Sequence, residues 1–255
     1  MQDEHSNNAN AAPPPVPPPA TPFAAIFDWD GVIVDSSQAH ERSWEILAAE
    51  EKRTLPPGHF KRGFGRKNEF IIPNILQWAD PADTAEIRRL GARKEALYRE
   101  IVAGSGLEPL PGVRELLAGL RDAKIPCAVG SSSHRENIDL ALRLLGLTDF
   151  FAGIVTSENV GKGKPDPEVF LKAAASVGCA AGNGVVFEDA LAGVEAGLAG
   201  GFRVIGVATT NPAADLAAAG ATLVVERLTA VTAETVRRLA TGSGYGDATG
   251  SGGTR

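Results

Sequence analysis

Only two cysteines occur in this 255-residue chain, Cys127 and Cys179, and their spacing matches no metal-ligand or redox motif. Cys127 lies in the apolar stretch Ile125-Pro126-Cys127-Ala128-Val129 and reads as a small core residue. Long apolar runs are missing as well. None approaches the roughly 18 residues of a membrane span, so no membrane partner is expected. No basic stripe is present. The 25 Lys and Arg stand against 31 Asp and Glu, a formal net charge of −6, which argues against nucleic acid as the main partner. The stretch from Met1 to Thr21 has neither the basic start nor the apolar middle of an export signal. The expected location is therefore the reducing cytoplasm, and the expected state is a monomer.

Two ends differ from the middle. Residues 1–22 carry the run Pro13-Pro14-Pro15-Val16-Pro17-Pro18-Pro19 and read as a disordered or polyproline II tail. Residues 241–255 are rich in Gly, Ser and Thr and read as a second flexible tail. From Leu110 onward, helical periodicity and short apolar strands alternate. Strands are predicted at Ile125 to Val129, Gly153 to Thr156, Val185 to Phe187, Val204 to Val207 and Thr222 to Val225. An earlier apolar run, Pro22 to Ile26, reads as a buried first strand. The alternation predicts an α/β fold, a doubly wound parallel sheet with right-handed crossovers.

Residues 37–107 read as helical throughout, with Ser37 to Glu50 as one helix, Asp80-Pro81 opening a long one, and Pro73 breaking or starting a helix between them. Such a block is expected to be an all-helical cap inserted into a core formed by 23–36 and 108–240. It leaves the sheet at the loop that follows the first strand, so it is placed to close over that loop.

That loop holds Phe27-Asp28-Trp29-Asp30-Gly31-Val32-Ile33-Val34-Asp35-Ser36. Two carboxylates two residues apart sit where a buried strand opens, and ligands of open parallel sheets bind beyond the carboxyl ends of strands. Crowded carboxylates repel unless a cation or a proton neutralises them. A Mg²⁺-dependent phosphoryl-transfer site gives a reason to crowd them. Taken alone, Asp28 and Asp30 are equally readable as turn residues.

Three further segments fall at predicted strand ends. Gly130-Ser131-Ser132-Ser133 offers small hydroxyls and backbone N–H groups before a helix, which suits a phosphate or a plain N-cap. In Gly161-Lys162-Gly163-Lys164-Pro165-Asp166-Pro167, the following proline favours an extended backbone at Lys164. A cation there would offset charge developing in transfer, whereas an isolated lysine would be a solvated loop residue. Phe187-Glu188-Asp189-Ala190-Leu191-Ala192-Gly193 places two acids directly after a strand, as oxygen ligands for a hard cation or as an N-cap.

Together these segments resemble the haloacid dehalogenase superfamily of phosphotransferases. The pattern D-x-D-G-V-x-x-D-[ST], a Ser after the second strand, K-P-x-P, and E-D followed by A-G all match in order and strand context. The resemblance runs from about Phe23 to Val207, and it is closest to the β-phosphoglucomutase and sugar-phosphatase branch with a helical cap. It implies a Rossmann-like core. Asp28 would be the nucleophile and Asp30 the general acid and base. Ser131 and Lys164 would bind the transferred phosphoryl group. Mg²⁺ would be held by Asp28, the Asp30 main-chain carbonyl, Asp189 and Glu188. Dehalogenases and phosphonatases of the superfamily lack the second acid, so Asp30 points to phosphate esters. Trp29 should face away from both acids.

For the substrate, the cap is the guide. His40, on the first cap helix, resembles a histidine of β-phosphoglucomutases and related phosphatases. Arg66, in the basic loop Lys61-Arg62-Gly63-Phe64-Gly65-Arg66-Lys67-Asn68, resembles the mutase arginine that grips a distal phosphate. Lys94 matches a cap lysine of the branch and is expected at the margin of the buried face. Ser132 joins His40, Arg66 and Lys94 as an expected substrate contact. The resemblance implies a phosphatase for a small phosphorylated sugar or polyol, with a sugar phosphate mutase as the alternative. A silent binding module that uses the Pro-rich tail is a third reading.

Overall fold

The computed structural model describes residues 23–63 and 65–242. The expected tails, 1–22 and the part of 241–255 beyond Gly242, lie outside the described residues, as does Phe64. Along the chain, β1 (Ala24–Phe27) leads into α1 (Ser37–Glu50), α2 (His59–Gly63), α3 (Asn68–Phe70), a π-helical turn (Ile71–Leu76) and α4 (Thr84–Ser105). Then follow α5 (Val113–Asp122), β2 (Cys127–Gly130), α6 (Arg135–Leu145), β3 (Phe151–Val155) and α7 (Glu168–Ser176). The chain continues through β4 (Gly184–Glu188), α8 (Leu191–Ala199), β5 (Arg203–Val207), α9 (Ala213–Ala218), β6 (Leu223–Val225) and α10 (Ala233–Thr241).

The six strands form one sheet in the order β3-β2-β1-β4-β5-β6, and every pairing is parallel. β1 is central and buried along its whole length. Its side chains alternate between two cores, as strand geometry requires. Ala25 and Phe27 join Leu117 and Leu120 of α5, Leu142 of α6 and Val236 of α10. Ala24 and Ile26 join Phe170 of α7, Val194 of α8 and Leu216 of α9 on the other face. Phe27 stacks on Phe187 at 4.4 Å between ring centroids, which locks β1 against β4. Each such buried ring contributes roughly 1.5–3 kcal/mol. Helices on both faces of a parallel sheet make this the doubly wound fold that the alternation predicts.

Residues 37–105 contain no strand among the described residues and build a core of their own. Trp44 and Leu47 of α1 pack with Ile72, Trp78, Leu90 and Leu97. The long helix begins at Thr84 rather than at Asp80-Pro81. Asp83 accepts from Glu86 N at 3.0 Å and caps the helix, while Asp80 closes a turn through Ala82 N at 2.8 Å. Pro73 neither starts nor ends a helix. It sits inside the π-helical turn, whose wider spacing relieves the clash of the ring with the preceding carbonyl. At the C-terminal end, α10 continues to Thr241 and stops at Gly242, so the first residue assigned to the tail is helical.

Candidate active site

The carboxyl end of β1 delivers Asp28. Its backbone N–H bonds Phe187 O at 3.0 Å, so the sheet ladder itself fixes where the carboxylate starts. Gly31 then turns the chain at φ +82. A side chain there would be strained and would run into the Asp189 carboxylate, so glycine is needed on both counts. Trp29 points away from the acids, as strand alternation requires, and packs on Phe151 at 6.2 Å.

Asp28 is 4% exposed, and its Oδ1 stands 3.0 Å from Lys164 Nζ. The same ammonium donates to Glu188 Oε1, and Glu188 Oε2 accepts from Ala190 N at 2.7 Å. The Lys164-Pro165 peptide is cis. Gly193 leaves the space that the Glu188 carboxylate occupies, which gives the A-G pair after the two acids a steric meaning. Asp28, Glu188 and Asp189 bring oxygens within 4.8 Å of one another. Both Asp189 carboxylate oxygens are buried and lack a well-aligned hydrogen bond, with Thr210 the nearby hydroxyl. A buried acid without donors is costly. Three converging carboxylates with one left unsatisfied fit a hard divalent cation.

The charges follow. Burial pushes Asp28 up to about 7, against the pull of Lys164 and with added repulsion from Glu188 and Asp30. Burial and the Glu188 charge likewise hold Asp189 well above the usual carboxylate range. For Lys164, burial acts downward, but the Asp28 and Glu188 carboxylates outweigh it and keep the ammonium charged.

Asp30 has a different environment. Ser36 Oγ donates to its Oδ1 and Ser133 Oγ to its Oδ2. His40 Nε2 stands 3.4 Å from Oδ1. Burial acts to raise its pKa, but the His40 and serine donors prevail and hold it below the usual range. Its side chain is outside the acidic cluster.

His40 is buried and stacks on Tyr98 at 4.0 Å, rather than lying on the cap surface. Lys94 is 3% exposed, deeper than the expected margin. Its Nζ lies 2.6 Å from His40 Nδ1 and 2.9 Å from Glu95 Oε1. Glu95 also accepts from Asn68 Nδ2 at 2.8 Å and, across the cap–core boundary, from Asn137 Nδ2 at 2.5 Å.

A cleft lies between cap and core. Asp28, Asp30, His40, Arg66, Lys94 and Ser131 line it, and Ser132 joins them. Lys164, Glu188 and Asp189 are buried and do not line it. Ser131 Oγ accepts from Ser133 N at 3.0 Å. The Arg66 guanidinium lies 4.6 Å from the centre of the Phe70 ring. Residues missed by sequence reasoning include Ser36, Ser133, Glu95, Asn137 and His59. Ser133 was in view inside the serine run. His59 lines the cleft with a buried Nε2 that has no partner among the described residues, and nothing in its sequence context announces it.

A family model for haloacid dehalogenase-like hydrolases matches residues 24–201. A chloroplastic 5-amino-6-(5-phospho-D-ribitylamino)uracil phosphatase of Arabidopsis thaliana is 35% identical over 220 residues, covering 86% of this chain and 58% of that protein. The chain thus spans somewhat over half the length of that relative. A β-phosphoglucomutase of Bacillus subtilis is 34% identical over 218 residues, covering 83% of this chain and 92% of the mutase. Among solved structures, a HAD hydrolase of family IA, variant 3, from Entamoeba histolytica superposes with a TM-score of 0.76 at 26% identity. That match covers 86% of this chain and 99% of the other.

Proposed function

The chain belongs to the haloacid dehalogenase-like hydrolases, and on that premise we propose that it is a Mg²⁺-dependent phosphatase for a small phosphorylated sugar or polyol. The observation that carries this reading is the pair Asp28 and Asp30 on one cleft with opposite surroundings. Asp28 has a lysine at 3.0 Å and an acidic cluster beside it. Asp30 has three donors and no share in that cluster.

Asp28 attacks phosphorus, and the ester P–O bond breaks. Asp30, a carboxylate in the free protein, takes up a proton from solvent as substrate binds and gives it to the leaving oxygen. Water then attacks the aspartyl phosphate and passes a proton to Asp30, which its donors favour as a carboxylate. The P–O bond to Asp28 breaks and phosphate leaves. Lys164 holds Asp28 in line throughout. Asp28, Glu188 and Asp189 would hold the cation, which when bound supplies positive charge against the phosphoryl oxygens. Ser131 would donate to those oxygens, and the cap excludes water from the first step.

One feature favours a second reading. Arg66 lines the cleft, and no acid pairs with it among the described residues. A guanidinium free in that position suits a second phosphate, as a mutase needs. One reaction separates the two: protein, Mg²⁺, β-glucose 1-phosphate and a trace of glucose 1,6-bisphosphate, with glucose 6-phosphate and free phosphate both followed. Phosphate release alone is the expected result. Glucose 6-phosphate without matching phosphate would make the enzyme a mutase.

A further inference from the structure

Lys67 reaches from the cap to the core. Its Nζ donates to Ser157 O at 2.7 Å and to Val160 O at 2.8 Å. Its stem passes Gly163, where an added Cβ would stand 3.3 Å from Lys67 Cγ. Among the described residues no carboxylate pairs with this ammonium, so two main-chain carbonyls are its anchors.

Both carbonyls belong to the segment between β3 and the Lys164 loop. Ser157 N bonds Ser133 O at 3.1 Å, and the Ser133 hydroxyl donates to Asp30. Ser157 also lines the cleft. On the cap side, three consecutive residues have three destinations. Arg66 lines the cleft, Lys67 grips the core, and Asn68 holds Glu95 inside the cap. Lys67 is therefore the point at which the ligand-facing cap loop is registered on the segment that braces Ser133, whose hydroxyl meets Asp30.

We propose that Lys67 is a positioning residue that docks this loop and sets the distance between Arg66 and the transfer carboxylates. It thereby fixes how long a leaving group can be held at both ends. The substrate part of this inference rests on the phosphatase reading above; the docking part does not. Charge-assisted bonds from an ammonium to two carbonyls hold more strongly than neutral ones, and they exist only while cap and core are together. The loss should therefore fall on leaving groups long enough to reach the cap loop, and not on the chemistry itself.

The test uses the full chain and two variants, Lys67→Met, which keeps the stem on Gly163, and Lys67→Arg, which keeps a cation. Hydrogen exchange on the substrate-free proteins is read first. In Lys67→Met the amides of 65–69 and 157–160 should exchange faster together, with the sheet unchanged and Lys67→Arg in between. Unchanged exchange in both segments overturns the proposal. Kinetics follow with 4-nitrophenyl phosphate, sorbitol 6-phosphate, ribitol 5-phosphate and glucose 6-phosphate. For the best hydroxylated substrate, Lys67→Met should raise KM about tenfold or more, the size of one lost charge-assisted bond, with kcat nearly kept. The aryl phosphate should shift much less. An equal rise for both substrates makes Lys67 merely structural and overturns its positioning role. Wild-type turnover of the aryl phosphate alone would overturn the substrate part and leave the phosphatase reading standing. No turnover of any ester would remove that reading, and the exchange result would still decide the docking.

Discussion

Lys94 Nζ stands 2.6 Å from His40 Nδ1, and this contact assigns the proton on the imidazole. An ammonium only donates, so Nδ1 accepts and Nε2 carries the hydrogen. That hydrogen belongs to the nitrogen 3.4 Å from Asp30 Oδ1. Glu95 holds Lys94 from the other side at 2.9 Å. Glu95 and Lys94 of α4 and His40 of α1 thus form one polar chain that ends on a core carboxylate.

If these residues act as a unit, their losses do not add. His40→Ala should lower kcat by about 10- to 100-fold, a usual cost for removing a group that orients a reacting residue. Lys94→Met should fall in the same range. The double variant should fall no further than the worse single one. A double-mutant cycle on kcat checks this, and simple additivity would show that the chain does not reach Asp30.

Asp28→Asn should abolish turnover, by about a thousandfold or more, since the amide cannot form the intermediate. Its stability should move the other way. The folded-state pKa is raised from 3.8 to about 7, so ionisation of Asp28 opposes folding above pH 3.8, with the full cost present above 7. The variant is free of that cost. In chelator, its melting temperature should match wild type near pH 4 and exceed it increasingly up to pH 8. A variant that melts lower at every pH would show that the bond to Lys164 outweighs burial.

Asp189 makes the metal question a stability measurement. Its unsatisfied buried oxygens should destabilise the metal-free protein and be relieved by a cation. Saturating Mg²⁺ at a hundred times its dissociation constant should add about 2.7 kcal/mol to the wild type. Asp189→Asn should melt higher than wild type without metal and lose most of the Mg²⁺ response. An equal Mg²⁺ shift in both proteins would place the cation elsewhere.

The sheet and most core site residues were legible because three of the four motifs sit at the end of a buried apolar strand. β1 ends at Phe27 and β2 at Gly130, so Asp28 and Ser131 follow directly, and Glu188 is the last residue of β4. Sequence spacing there is nearly spatial spacing, because parallel strands end at one edge. The cap was legible as helices but not as contacts. Lys94, read at the edge of an apolar face, is buried, because its charge is met by Glu95 and His40 from two helices. Ser132 is an expected substrate contact and lines the cleft, whereas Ser133, the residue that bonds Asp30, was not singled out. A run of three serines carries no sign of which hydroxyl faces inward. Asn137 lies on α6, and nothing in its local sequence marks it. Its role depends on a carboxylate 42 positions away in the other half of the molecule.

Glu95 supplies the clearest pH test of that cross-boundary contact. It is 4% exposed and accepts from Lys94, Asn68 and Asn137. Burial alone would raise its pKa, but the Lys94 charge, with smaller contributions from His134 and Asn68, holds it far below the usual carboxylate range. A depressed carboxyl stabilises the fold above its unfolded-state pKa and loses that contribution as pH falls toward the folded value. Glu95→Gln puts an amide N–H₂ among donors and leaves Lys94 without its counter-charge. Breaking a buried pair in this way costs about 3–5 kcal/mol. The deficit in urea unfolding free energy should therefore be full at pH 7 and at pH 5.5. Below pH 4.5 it should shrink, because the wild type then gives up what the variant never had. A deficit that stays constant down to pH 3 would mean that Glu95 is not ionised in the fold, and that Asn68 and Asn137 hold it as neutral hydrogen-bond donors would hold any acceptor.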